Sequence, residues 1–343
     1  MISKKTKVLA VLVAIVMVVT LAGCSKSAAP AQQKAWAPDK PITFTAVAGA
    51  GGGLDLLART TAKLLDQSKL VTQPIMVENK PGGGQVTGTV AFATKEAKND
   101  YAVMIASTPF IINHIKKDGN SPIGPEDIYP VAMVQGDYGV IAVKADSKYK
   151  TLKDLFDAVK ADPTKVQFVG GGAPGTWDHL NIIQIASKAG VDLKSMKYNP
   201  YDGGGEALTA LLGGHGDAMT SDVSSVKQYV QAGKVRVLGV SAPAKMADDE
   251  IMKDIPTYKE AGYDVTTVNW RGFFIGKDAS EGAKKFWGDT IDKLVKTPEW
   301  KAELKKAGLV DIYKDSKTFF DFIKAEEKVY TDLYTKLGMP IQQ

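Results

Sequence analysis

Residues 42–65 and residues 166–189 repeat one pattern, and it confines the chain to a layered α/β fold. In the first, Ile42, Thr43, Phe44 and Thr45 run into Gly49, Gly51, Gly52 and Gly53, after which Leu54, Leu57, Ala58, Thr61, Leu64 and Leu65 recur at helical spacing. In the second, residues 166–169 lead into Gly170, Gly171, Gly172 and Gly175, with Thr176 placed to cap a helix reaching Ala189. Each reads as strand, tight loop, helix. Glycines let a backbone come close to a ligand, and a helix start leaves unpaired N–H groups at the positive end of its dipole. Such a loop suits an anion, and the same residues also serve a bare turn from strand to helix.

Nucleotide readings fail on spacing. A phosphate-binding P-loop needs Lys-Ser/Thr after its last glycine, where Leu54-Asp55 follows Gly53; the dinucleotide spacing started at Gly49 needs glycine where Leu54 stands. What remains is a loop of backbone donors without a cationic side chain, suited to a carboxylate.

The start of the chain has Lys4, Lys5 and Lys7, an apolar segment over 8–19, and Leu21-Ala22-Gly23 directly before Cys24, the sole cysteine. This is the layout of a signal peptide over 1–23, too short for a membrane span. Small residues before a cysteine mark bacterial lipid attachment, so Cys24 is expected to anchor the protein at a membrane surface. Removing 1–23 takes away three lysines and no acids, so the formal charge of +5 falls to +2, which argues against a nucleic-acid partner. Residues 24–40 lack apolar periodicity and read as a flexible tether. The remaining chain, about 300 residues, is long for one hydrophobic core and sufficient for two.

Along that remainder, a short strand over 74–77, a glycine turn at Gly82, Gly83 and Gly84, a helix over 85–97 and an apolar strand over 101–106 follow the first loop. Strand–helix alternation of this kind predicts a parallel sheet covered on both faces, with ligands at the carboxyl ends of its strands. The glycine loop and Ser107-Thr108 both fall at such ends and are expected to face one cleft. Residues 131–144 read as extended, and Thr151 with Asp154 opens a capped helix. The second unit continues through a strand at 196–198, the turn 201–205, a helix over 207–212, a strand over 217–219 ending in Thr220-Ser221-Asp222, a helix to 231 and a strand over 235–240. Asp222 is placed either to cap the helix after it or to touch a ligand, and one residue can do both. The long apolar stretch 265–275 reads as the crossing back to the first unit. Arg271 inside it needs a carboxylate partner, and a structural partner is expected before a ligand. Helices over 281–294, 298–307 and 319–337 close the chain, the last with a core stripe of Phe319, Ile323, Tyr330, Leu333 and Leu337.

His114, His179 and His215 share no metal-ligand spacing, and no serine lies in G-x-S-x-G. No catalytic residue, metal or cofactor is expected. His179, three residues after Thr176, is expected to fix the second loop by a hydrogen bond in the first helical turn.

Eight motifs in order then carry a resemblance. They are GAGGGLDLLAR at 49–59, VENKPGGG at 77–84, GTWDHL at 175–180, YDGGGEAL at 201–208, LLGGHGDAM at 211–219, AGKVRVLGV at 232–240, IPTYKEAGY at 255–263 and WRGFF at 270–274. From about Pro38 to the end, the chain resembles the solute-binding receptors of tripartite tricarboxylate transporters, the Bug or TctC-like family, in lipoprotein form. The resemblance implies an α/β, two-lobe periplasmic binding protein fold (type II-like) with a ligand cleft between lobes. Lobe 1 would comprise 41–143 and 269–343, lobe 2 would comprise 144–268, and the hinge crossings would lie near Val143 and Asn269. It implies a carboxylate held by backbone N–H groups at Gly51, Gly52, Gly53 and Asp55 and at Gly172, Gly175 and Thr176. Ser107, Thr108, Ser221 and Asp222 match positions that vary and shape selectivity. Two departures stand out: Leu54 replaces a frequent Thr, and Ser221 replaces the usual Asp, which favours a plain organic acid over an amino acid. The expected function is an extracytoplasmic, lipid-anchored, monomeric receptor, not an enzyme, that delivers a di- or tricarboxylate or related acid to a membrane permease. The alternatives are an enzyme of small organic acids on the same fold and a sensor feeding a signalling protein.

Overall fold

A computed structural model describes residues 35–342 of the chain apart from Asn120 and Asp202. The expected signal peptide, Cys24 and most of the tether lie outside the described residues. Among those described, no helix is long and apolar enough to cross a membrane.

The first half runs β1 (Ile42–Ala46), α1 (Gly53–Gln67), β2 (Ile75–Asn79), α2 (Val86–Lys95), β3 (Ala102–Ser107), α3 (Pro109–Ile115) and the long β4 (Ile128–Lys144). It continues with α4 (Leu152–Ala161), β5 (Gln167–Gly171), α5 (Trp177–Ala189), β6 (Lys197–Tyr201), α6 (Gly204–Leu212), β7 (Ala218–Asp222), α7 (Val223–Gln231) and β8 (Val235–Val240). The chain returns through β9 (Val268–Gly276) and ends with α8 (Glu281–Val295), α9 (Pro298–Ala307), β10 (Lys314–Asp315) and α10 (Ser316–Leu337).

β1 lies parallel between β2 and β3, and β5 lies parallel between β6 and β7. These are the two parallel units expected from the repeated pattern, each with helices in its connections. They are not separate sheets. The strand order β2-β1-β3-β9-β4-β7-β5-β6 joins them through β4 and β9. Residues Ile128 to Tyr138 of β4 pair antiparallel with β9, whereas Gly139 onward pairs with β7 and β8. One strand thus joins the two parallel units and changes partners between Tyr138 and Gly139.

Local chemistry sets the boundaries. Thr151 Oγ1 accepts from Asp154 N at 3.0 Å while Asp154 Oδ2 accepts from Thr151 N at 3.0 Å, a reciprocal cap for α4. Pro109, with φ already fixed, opens α3 at its first turn, so the chain turns helical where the sequence pattern showed only the end of a strand. Phe319, Ile323, Tyr330 and Leu333 of α10 are buried as expected; Tyr334 joins them and Leu337 is half-buried. Phe319 stands edge-on to Trp270 of β9 at 5.2 Å, with Phe274 5.3 Å away, and this aromatic group pins β9 on one side.

Because strand side chains alternate, burying Trp270 under α10 turns Asn269 and Arg271 to the opposite face. Trp270→Ala is expected to destabilise the protein by about 3–5 kcal/mol, read as a lowered denaturant midpoint in guanidinium unfolding.

Candidate functional site

The first loop is closed by its own helix. Gly51, at φ 78°, turns the chain, and its N–H donates to Asp55 Oδ2 at 2.9 Å. Asp55 also pairs with Arg59, whose Nε lies 3.0 Å from Oδ2. The Arg59 hydrogen bond, followed by that from Gly51, holds the Asp55 carboxyl below its ordinary range. Gly52 N donates back to Gly49 O at 3.2 Å, and the first helical bond runs from Leu56 N to Gly52 O. The donors left without a backbone acceptor are therefore the N–H groups of Gly53, Leu54 and Asp55.

The second loop is built alike. Asp178 Oδ2 accepts from Gly171 N at 2.6 Å, Gly172 N donates to Tyr201 O at 2.6 Å, and Thr176 N donates to Ala173 O at 3.0 Å. Thr176 occupies the cap position, yet its hydroxyl donates to Ala173 O at 2.7 Å and caps nothing. Gly175 N donates to His179 Nδ1 at 2.9 Å, the loop-fixing role expected of that histidine. Gly175 has φ 81°, and a Cβ there would come within 2.7 Å of Met339, so glycine is required on both counts. Its carbonyl accepts from the Tyr334 hydroxyl, and Lys116 Nζ reaches Pro174 O at 3.4 Å. The amides of Gly172, Gly175 and Thr176 are thus engaged inside the protein, and the open donors lie one step on, at Trp177, Asp178 and His179.

One face of β9 connects the two loops. Asn269 Nδ2 donates to Asp222 Oδ2 at 3.0 Å, and Trp177 Nε1 at the start of α5 donates to Asp222 Oδ1 at 2.7 Å. Asp222 stands at the cap position of α7 without capping it; Asp137 of β4 instead accepts from Ser224 N at 3.3 Å. Two residues along, Arg271 is opposite both Ser107 of β3 and Gln135 of β4. Its guanidinium rests against Gly53, where a Cβ would sit 2.9 Å from a terminal nitrogen. The cation absent from the first loop's own sequence is supplied from 218 residues away in the chain. Arg271 makes no hydrogen bond or ion pair with a described residue, and the structural carboxylate expected for it is present only as the charge of Asp137, which Arg271 influences without an ion pair.

The other expected residues divide. Ser107 is held from both sides by Gln85, its N–H donating to Oε1 at 3.2 Å and its Oγ accepting from Nε2 at 2.7 Å. Thr108 is fully buried, its Oγ1 accepting from Trp270 N at 3.1 Å. Ser221 is buried beside Gly204. Gly53 alone among the expected residues lines a cavity of about 580 Å³, together with Gln135, Arg271 and, from the start of α7, Ser224.

The electrostatics are those of a desolvated floor. Burial raises the carboxyl of Asp137 above its ordinary range, opposed by Ser224 and by the Arg271 charge. Burial likewise pushes Asp178 up to about 7 and Asp222 well up, the latter also repelled by Asp137 and Asp178. Burial, with the Lys116 charge nearby, pushes the His179 imidazole down to about 4.

Two outcomes follow from this geometry. Gly53→Ala is expected to fold normally, because the obstructed group is the far end of a flexible side chain, and to weaken carboxylate binding roughly tenfold, as loss of one charge-assisted hydrogen bond would; calorimetric titration checks it. Neutral His179 is favoured by folding, so its contribution is complete above pH 6.5 and is lost as pH falls toward about 4. Relative to His179→Gln, the native protein is expected to lose up to about 3 kcal/mol between pH 7 and pH 4, read by urea unfolding at each pH.

The fold has counterparts. A UPF0065 protein of Pseudomonas sp. strain P51 is 26% identical over 310 residues, covering 89% of each chain. A solved TctC solute-binding protein from Polaromonas superposes with a TM-score of 0.73 at 27% identity, over 88% of this chain and 99% of its own. An R. palustris protein solved with adipate gives 0.72 at 20% identity, over 88% and 98% of the two chains, and so shares the fold. Residues 57–339 match the family of tripartite tricarboxylate transporter receptors, and the chain belongs to that family.

Proposed function

We propose that this protein is an extracytoplasmic receptor that binds a small organic carboxylate, a di- or tricarboxylate or related acid, between its lobes and delivers it unchanged to a membrane permease. The observation that carries this reading is the unpaired Arg271 guanidinium beside the open N–H of Gly53, at a cavity walled by both lobes. A half-buried guanidinium with no ion pair among the described residues, facing only the burial-weakened acid Asp137, has donors that an anionic guest would satisfy. The adipate in the R. palustris relative is consistent with such a guest.

The lobes are taken as 41–143 with 269–343 and as 144–268, connected where β4 changes partners. Closure of one on the other then couples binding to recognition by the permease. Gly51, Gly52 and Asp55, and Gly172, Gly175 and Thr176, shape the two jaws, while the helix-start amides that follow them point at the guest. Asp222 has Trp177 and Asn269 on its two oxygens. That engagement favours a plain acid over one bearing an ammonium group. Cys24 carries the lipid that keeps the receptor at the membrane surface.

Native mass spectrometry of the chain lacking residues 1–23 tests the reading. A co-purified acid, released intact and raising the melting temperature when added back, is the expected result. Conversion of the acid to a product, or no stabilisation by any member of a carboxylate panel, contradicts it.

A further inference from the structure

The cavity at the lobe junction has one polar corner. Gln135 and Arg271 are cross-strand neighbours on β4 and β9, and both side chains face it. Gln135 is only 4% exposed, and its carboxamide makes no hydrogen bond with a described residue. An amide and a half-buried guanidinium that line the cavity without acceptors present donors that a guest's oxygens would satisfy. The planar fork of arginine matches a carboxylate in two parallel hydrogen bonds, and an adjacent amide N–H extends that set.

Away from that corner the wall is mostly apolar, interrupted by Thr60 and Ser224. Leu56, Leu57, Leu304 and Leu309 line it, and Leu56 is 57% exposed. At the rim, Glu303 of α9 is ion-paired with Lys63 at 3.4 Å, and Lys306, one turn on, is solvent-exposed, where screening leaves it little pull on a second carboxylate. Beneath the corner, Asp137 is an acid weakened by burial, which leaves Arg271 the stronger charge.

We propose that Arg271 and Gln135 form a head-group clamp, and that the preferred guest carries one carboxylate on an apolar body lying along Leu56, Leu57, Leu304 and Leu309. This rests on the carboxylate-receptor reading and narrows its guest from di- and tricarboxylates to the related acids with a single carboxylate. The clamp residues set specificity: the head is read by two strands at the crossing, and the body by α1 and α9. A cavity of about 580 Å³ accommodates an acid of this class.

Calorimetric titration of the chain lacking residues 1–23 with hexanoate, phenylacetate, malate and citrate tests the proposal. Hexanoate or phenylacetate is expected to bind at least about tenfold tighter than malate or citrate. Arg271→Gln is expected to weaken the monocarboxylate roughly ten- to hundredfold. Leu56→Ser, at an exposed position where folding is safe, is expected to weaken the monocarboxylate. Tighter binding of malate or citrate, undiminished binding by Arg271→Gln, or an unaltered monocarboxylate affinity in Leu56→Ser overturns the clamp while the receptor reading stands. Failure of all four acids to bind removes both.

Discussion

The antiparallel pairing of β4 with β9 is the constraint from which the rest of the architecture follows. Both strands run through the junction, so each has an apolar row and a polar row that cannot be exchanged without moving every side chain to the other face. Trp270 fixes the choice, because its ring is buried against Phe319 and Phe274. Asn269 and Arg271 then face the junction, opposite Asp137 and Gln135. A sheet interior that would be hydrophobic in an ordinary parallel fold carries a polar strip at the one place where two lobes meet.

The glycine loops answer to that strip differently. Each has its own helix supply acceptors for the glycine amides, through Asp55 in one case and through Asp178 and His179 in the other. The loops therefore hold their shape without a ligand, and preorganisation of this kind reduces the ordering cost on binding. The first loop is open beside Arg271. The second is packed against α10 through Gly175 and Tyr334, which ties one jaw to the far end of the chain.

Much of this was legible in the sequence. Hydrophobic periodicity and glycine placement gave both strand–loop–helix units, the stripe of α10 and the cap at Thr151, because those depend on neighbours in the chain. The role of His179 was also local, four residues from its partner. The polar strip was not legible: Gln135 and Asp137 sit in an extended apolar run, where two polar residues at alternate positions signal a face only once the partner strand is known. Arg271 was visible as an anomaly, but its meeting with Gly53 is tertiary. So is the diversion of Asp222 to Trp177 and Asn269 away from the cap its position suggested, since a helix start can be served equally by Asp137 from another strand.

The central claim is that the guest's negative charge is met at β9, by Arg271 with the first turn of α1. A crystal structure of the protein grown with a small carboxylate tests this most directly. The account predicts carboxylate oxygens within hydrogen-bonding distance of the Arg271 guanidinium and the Gly53 N–H, between the two lobes. A carboxylate seated elsewhere, with Arg271 turned away from it toward a protein acid, would contradict it.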